Sequence, residues 1–358
     1  MLKPRERCIR AVEHEVPDRV PLVLRIRPEP LEKLKEALGV KDYDHLVKVL
    51  GVDIVGTGIG LKGGFEPEGK VEWKEEGYVV KRMGDKEIRR SIFGYETIWV
   101  PGKTHTYTYC KYPLQHMSLE EYPWPEVREE DYDRVVEFKN KYEDYFVYGG
   151  VLQCFETAWK LTGFNEFLKL MIIEPSKVEY ILSKLYKIAE EQAKILLDAG
   201  VDAIVNGDDV GMQKGMIISP AMWKKYLKPI YVKLANLAHK RGAYFVFHSD
   251  GWIEPIIPDL VEIGVDILNP VQPECMDVYK LKELYGDKLC FDGTISIQRT
   301  MPFGTVEDVV REVKERIEKL GPTGLILGPG HSLQPEVPVE NIIALYRAAH
   351  KYGVFKTI

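Results

Sequence analysis

Short apolar runs alternate with longer amphipathic stretches along most of the chain. The runs are VPLVL (20–24), VDIVG (52–56), YFVYGGVL (145–152), VDAIVN (201–206), YFVFH (244–248), VDILNPV (265–271), KLCFDG (288–293) and GLILGPG (324–330). Nearly unbroken apolar runs of this length read as parallel strands covered on both faces. Between them, 179–200 and 306–321 carry apolar residues at three- and four-residue spacing and close on Gly200 and Gly321, as helices do. Segment 220–242 follows the same pattern, with Pro229 predicting a kink or break. The phrases AGVDAI and IGVDIL each pass from a helix end through glycine into a strand. Eight such βα steps predict an α/β fold, a (β/α)8 TIM barrel, with residues 1–358 as a single domain.

One region departs from this rhythm. Residues 62–112 alternate apolar and polar side chains, with EEG and GDK as turn signals. This pattern predicts an antiparallel β-hairpin insertion after strand 2. From its place in the chain, the insertion is expected near the carboxyl-terminal mouth of the barrel, where it either covers a pocket or only decorates the surface.

Composition narrows the class. The chain is 45% hydrophobic and 29% charged, which fits a globular protein with a large core. The net charge is −6 with both signs interleaved, so no basic block offers a nucleic-acid footprint. No apolar run approaches the roughly 18 to 20 residues that cross a bilayer, and the opening MLKPRERCIR is too charged for a signal peptide. Five cysteines without CxxC spacing suggest reduced thiols and a cytoplasmic setting rather than a disulfide framework.

In this barrel fold the carboxyl ends of the strands and the loops after them build the site. Arg25 and Arg27 follow the first run, Asp53 lies in the second, and Glu156 comes soon after the third. Asn206, Asp208 and Asp209 follow the fourth, His248 and Asp250 end the fifth, and Asn269, Gln272 and Cys275 follow the sixth. Asp292 ends the seventh, and His331 follows the eighth. Taken singly, each has a plainer role: a structural histidine, or an aspartate that caps a turn or pairs with an arginine. Convergence at the strand ends is the stronger signal.

Two chemistries fit these residues. His248, Asp250 and His331 could ligate zinc, with Glu156 as a fourth ligand. The H-x-D spacing sets both side chains on one side of the chain. Alternatively, His248 and His331 bind substrate carboxylates or move protons without a metal. Arg25, Arg27, Asn206, Asp208, Asp209, Gln272 and Asp292 are candidates for substrate binding. Asp208 and Asp209 are neighbours and point opposite ways, so one of the two faces the pocket. Cys275 reads as a free core thiol, with a substitute metal ligand as the alternative.

GPGHSLQPEVPVENIIALYRAAHKYG (328–353), VLGVDIVGTGIG (49–60) and HSDGWIEPIIPDLVEIGVDILNPVQ (248–272) carry a resemblance to the uroporphyrinogen decarboxylase superfamily. It is strongest from about residue 145 to the end. Members of the decarboxylase branch act on a tetrapyrrole without a metal, through an aspartate that the resemblance places at Asp53. They also carry an R-Q-A-G-R motif after the first strand. Here LRIRPEP keeps Arg25 and Arg27 but not that motif, and a substrate with several carboxylates needs dense cationic recognition.

The superfamily's methyltransferases move methyl groups between a corrinoid protein and a thiol, using zinc held by H-x-C and a later cysteine. His248 matches the first ligand, Asp250 and His331 replace the cysteines, and Glu156 in CFETAWKLTG matches the region of a further glutamate. The resemblance therefore implies a methyltransferase linking a methyl donor or thiol acceptor to cobalamin carried by a separate protein. The chain has no D-x-H-x-x-G corrinoid motif of its own. A homodimer is also implied. Metal-free tetrapyrrole decarboxylation centred on Asp53 is the alternative activity, and a binding barrel without catalysis is the third reading.

Overall fold

Seven of the eight apolar runs become parallel strands in the computed structural model, which describes residues 1–74, 77–100 and 107–355. In chain order the strands are β1 (Ile54–Gly58), β2 (Leu61–Lys62), β3 (Trp73–Lys74), β4 (Gly77–Met83), β5 (Lys86–Arg90), β6 (Glu96–Trp99), β7 (Tyr107–Lys111) and β8 (Glu126–Val127). They continue as β9 (Phe146–Gly150), β10 (Ala203–Gly207), β11 (Tyr244–His248), β12 (Ile267–Asn269), β13 (Cys290–Asp292) and β14 (Leu325–Ile326). The chain divides into two units. The first holds Met1–Thr57, Val136–Gly150 and Leu197–Ile358, and the second holds Gly58–Val135 and Val151–Leu196.

The first unit is built on a parallel sheet in the order β1-β9-β10-β11-β12-β13-β14. The run VPLVL forms no strand of its own, which corrects the expectation for that segment. Pro21 has no N–H to donate, and the residues around it turn alternately to two neighbours. Val23 N–H donates to Leu327 O and Leu327 N–H to Pro21 O, while Asp53 N–H donates to Leu22 O. Leu22 thus bridges Leu327 and Val23 bridges Ile54, both parallel, so this segment joins the two edges of the sheet. The result is a TIM-barrel-like α/β unit.

One layer of the core takes a side chain from each run: Val23, Ile54, Phe146, Ala203, Val246, Ile267, Cys290 and Ile326. Cys8 and Val12, from the helix Pro4–Val12, pack against the same layer. A fully buried aliphatic or aromatic side chain contributes about 1.5–3 kcal/mol, so the layer is a main source of stability. Pro229 breaks the predicted helix 220–242 into Pro220–Tyr226 and Lys228–His239. A proline there has no N–H for the ladder and crowds the preceding turn.

The G-V-D phrases have a structural explanation. Each aspartate sits just before its strand and accepts from the backbone of the preceding run. Leu22 N–H donates to Asp53 at 2.8 Å, Val147 N–H to Asp202 at 2.8 Å and Phe245 N–H to Asp266 at 2.7 Å. Cations then cover these carboxylates: Arg7 and Arg19 at Asp53, Arg5 and Lys139 at Asp202, and His239 at Asp266. The amino-terminal rim is thereby fastened strand to strand.

The last of these pairs makes stability depend on pH. The hydrogen bond to Asp266 holds His239 above its ordinary value of 6.5. A group whose folded value is raised contributes stability below its unfolded value and loses it as pH rises through the folded one. Between about pH 6 and pH 8, the wild type is expected to lose more of its melting temperature than His239→Gln does. Equal losses in the two proteins would remove this pair from the account.

In the second unit, β3 to β7 form an antiparallel sheet in chain order, and β2 pairs with β8. The predicted GDK turn joins β4 to β5, with Met83 opposite Lys86 and Gly84 at φ 60°, a conformation glycine adopts freely. Glu75 and Glu76 of the predicted EEG turn, and residues 101–106 of the predicted insertion, lie outside the described residues. The unit also holds the helices Cys154–Thr162 and Phe164–Ile173.

Candidate functional site

The sheet of the first unit delivers polar groups where its strands end. β10 and β11 run in register from Ala203 opposite Tyr244 to Gly207 opposite His248. Gly207 is required there: a Cβ would lie 2.0 Å from His248 O. Just beyond, Gly211 and Gly251 let two loops touch, since a Cβ on Gly211 would lie 2.5 Å from Asp250 O. Trp252 N–H donates to Met212 O at 2.8 Å, and Asp250 N–H donates to Asp209 Oδ1 at 2.7 Å. The loops after β10 and β11 are zipped together, and Asp209 meets the H-x-D pair.

His248 is held in one tautomer by a chain of bonds. Asn269 Nδ2 donates to Asp292 O at 3.3 Å, which turns Asn269 Oδ1 toward the imidazole. His248 Nδ1 lies 2.6 Å from that oxygen and so carries the ring proton as donor. In the neutral ring Nε2 is then the atom with the lone pair, and it faces Asp209 Oδ1 at 3.8 Å. An imidazole oriented through one nitrogen and open at the other is how protein metal ligands are prepared.

Ligand atoms of Asp209, His248 and Asp250 all lie within 4.8 Å of one another. His331 Nε2 lies 4.0 Å from Asp250 Oδ2, and the two imidazole rings are 6.1 Å apart. Two carboxylates beside two imidazoles suit a divalent cation. Beside them, burial, reinforced by Glu274 and Asp250, pushes the Cys275 thiol up to about 11.

The other predicted site residues fall elsewhere or serve a different purpose. Asp53 sits before β1, at the amino-terminal rim, whereas His248 ends a strand running parallel to it. Its carboxylate is wholly buried and receives Arg7, both terminal nitrogens of Arg19 and the Leu22 N–H. These contacts fasten the first run to the second at that rim. Arg25 and Asp292, both expected to bind substrate, pair with each other through both guanidinium terminal nitrogens, and Tyr148 OH adds a bond to Asp292 at 3.3 Å.

Gln272 braces the site loop, its Oε1 accepting from Gly251 N–H at 2.9 Å. Asp208 is fully buried and accepts from Tyr231 OH at 2.9 Å, on the helix Lys228–His239, so it turns away from the side that Asp209 faces. Asn206 is buried at the end of β10, opposite Phe247. Arg27 precedes the helix Pro28–Leu38, and its backbone N–H donates to Leu333 O at 3.0 Å. Glu156 belongs to the second unit, on the helix Cys154–Thr162, where it pairs with Lys160 at 2.9 Å one turn on. Asn269, the residue that orients His248, ends β12 and was legible only as one more polar strand end.

A sequence model described as uroporphyrinogen decarboxylase (URO-D) matches residues 133–352, more than half of the chain. The chain belongs to this family. Within it the likeness is closer to the methyltransferase branch. A "Methylcobamide:CoM methyltransferase MtaA" from Methanosarcina barkeri is 26% identical over 210 residues, which are 58% of this chain and 59% of that one. A uroporphyrinogen decarboxylase from Trichodesmium erythraeum is 24% identical over 189 residues, 52% of this chain and 51% of the other. The chain therefore aligns with little more than half the length of these relatives. A solved structure titled "methyltransferase from Methanosarcina mazei" superposes with a TM-score of 0.68 at 20% identity, over 98% of this URO-D family chain and 99% of that one, so the fold is shared end to end. Among the described residues, no helix of this family member is long and apolar enough to cross a membrane.

Proposed function

We propose that this URO-D family member is a methyltransferase that moves a methyl group between a small molecule and a corrinoid carried by a separate protein. The observation that carries the reading is the oriented His248, its Nε2 lone pair turned toward a carboxylate, with Asp250 on the same strand end. The activity for which the Methanosarcina barkeri relative is named supports this class of chemistry.

The donor set fits zinc or another divalent first-row metal, which accepts imidazole nitrogen and carboxylate oxygen. His248, Asp250 and His331 would hold it. The chemistry it would supply is a lowered proton affinity at a substrate heteroatom, which would ready that atom to accept or release a methyl group. The residues of the chain do the rest. Asn269 keeps His248 in its ligand tautomer, Gln272 fixes the Asp250–Gly251 backbone, and the carboxylates balance the charge of a cation. The Arg25–Asp292–Tyr148 network ties the first, third and seventh runs together, and Asp292 O holds Asn269 in turn.

Tetrapyrrole decarboxylation is the weaker reading, because Asp53 is engaged by two guanidinium groups and Arg25 is engaged by Asp292. Two reactions followed by visible absorbance test the proposal: demethylation of methylcobalamin with small thiols as acceptors, and methylation of cob(I)alamin with methoxylated compounds as donors. Turnover is expected for the zinc-supplied wild type with one of these classes, and loss of about 10²-fold or more for His248→Ala. Release of CO2 from uroporphyrinogen by chelator-treated protein, unaffected by His248→Ala, would overturn it.

A further inference from the structure

We infer that Asp209, the second acid of NGDDVG, is a metal ligand, and that the centre is built from nitrogen and oxygen donors alone. This rests on the metal-dependent reading above and sharpens it, because the superfamily resemblance points instead to thiolates and to Glu156.

Distance is the first argument. Two bonds of about 2.0–2.2 Å to one ion span at most about 4.4 Å between their donor atoms. His248 Nε2 and Asp209 Oδ1 are 3.8 Å apart, and His331 Nε2 and Asp250 Oδ2 are 4.0 Å apart, so the two atoms of each pair lie within reach of one ion, and the ligand atoms of Asp209, His248 and Asp250 gather within 4.8 Å of one another. Preorganisation is the second. Asp209 is tied to the H-x-D loop by the Asp250 N–H, and the bond from Trp252 N–H to Met212 O holds the two loops together where Gly211 and Gly251 meet. The third is the fate of its competitors. Asp208 is fully buried against Tyr231, Glu156 pairs with Lys160 inside the second unit, and Cys275 lies 3.7 Å from Gln213 Oε1.

The donor chemistry has a consequence. Imidazole and carboxylate ligands donate less charge to the metal than thiolates do, so the ion keeps more of its own. Such a site binds cobalt(II), nickel(II) and zinc in the usual order of affinity rather than selecting zinc by softness. It also acts more strongly on an oxygen-bearing substrate.

Zinc titration calorimetry on the full chain tests the assignment, comparing wild type, Asp209→Asn and Asp208→Asn, with circular dichroism as the check on folding. Asp209 is partly exposed, so the variant is expected to fold, and Asp209→Ser is the second choice. Affinity is expected to fall roughly tenfold or more for Asp209→Asn and to stay near the wild-type value for Asp208→Asn. The cobalt(II) form should show ligand-field bands without a thiolate charge-transfer band, unchanged in Cys275→Ser. Wild-type affinity in a folded Asp209→Asn would overturn the ligand assignment and leave the functional reading standing. A thiolate band that Cys275→Ser removes would overturn the donor set. A folded wild type that binds neither ion would overturn the metal reading itself, and this inference with it.

Discussion

Asp53→Ala is expected to lose about 3–5 kcal/mol of stability, because it strips the partner from two guanidinium groups at a buried position. Arg7 reaches Asp53 at 2.6 Å with only 4% of its side chain exposed, and Arg19 reaches it at 2.7 Å. The same change removes the acceptor of the Leu22 N–H, in the segment that joins the edges of the sheet. Asp53→Asn keeps an acceptor but no charge, so its denaturation midpoint should fall between wild type and Asp53→Ala. Chemical denaturation followed by circular dichroism measures both. The sequence resemblance assigned this aspartate to catalysis, which predicts the opposite result: an unchanged midpoint with lost activity. That outcome would return Asp53 to the active site.

The contrast shows what a sequence can and cannot carry. The apolar runs located the strands to within a few residues, because burial on both faces leaves a strong one-dimensional trace. YFVFH ends at His248 in the sequence and in β11 alike. The first run misled, since its pairing is with two neighbours at once and leaves single bridges in place of a strand. G-V-D looked the same at Asp53, Asp202 and Asp266, yet the residue's place at the start of a strand, not its identity, decides its role.

At the proposed site, His248, Asp250 and His331 were legible because each stands at the end of a strand run or in the loop just after it. Choosing Asp209 over Asp208 required knowing that Tyr231 takes the first acid. The zipping of the two loops depends on Gly211 and Gly251, which the sequence offers only as ordinary turn residues. Arg25 and Asp292 are 267 positions apart, and no local pattern could reveal that they satisfy each other.

The second large effect is at His248. Its imidazole is 20% exposed, so alanine there should fold, and the loss should fall on the ligand set rather than on the core. Removing it leaves Asp209 and Asp250 with His331 alone as nitrogen donor. The carboxylates can still attract a cation weakly through charge, but the oriented lone pair that fixes it is gone. Methyl transfer and metal content should therefore fall together, whereas a purely proton-transferring histidine would lower activity and leave metal content intact.

The most direct test of the account is elemental analysis of the full chain purified with zinc offered, beside His248→Ala treated identically. The account predicts stoichiometric metal in the wild type and its loss in the folded variant. A well-folded wild type that stays metal-free under those conditions, or a His248→Ala protein that keeps its metal, would contradict it.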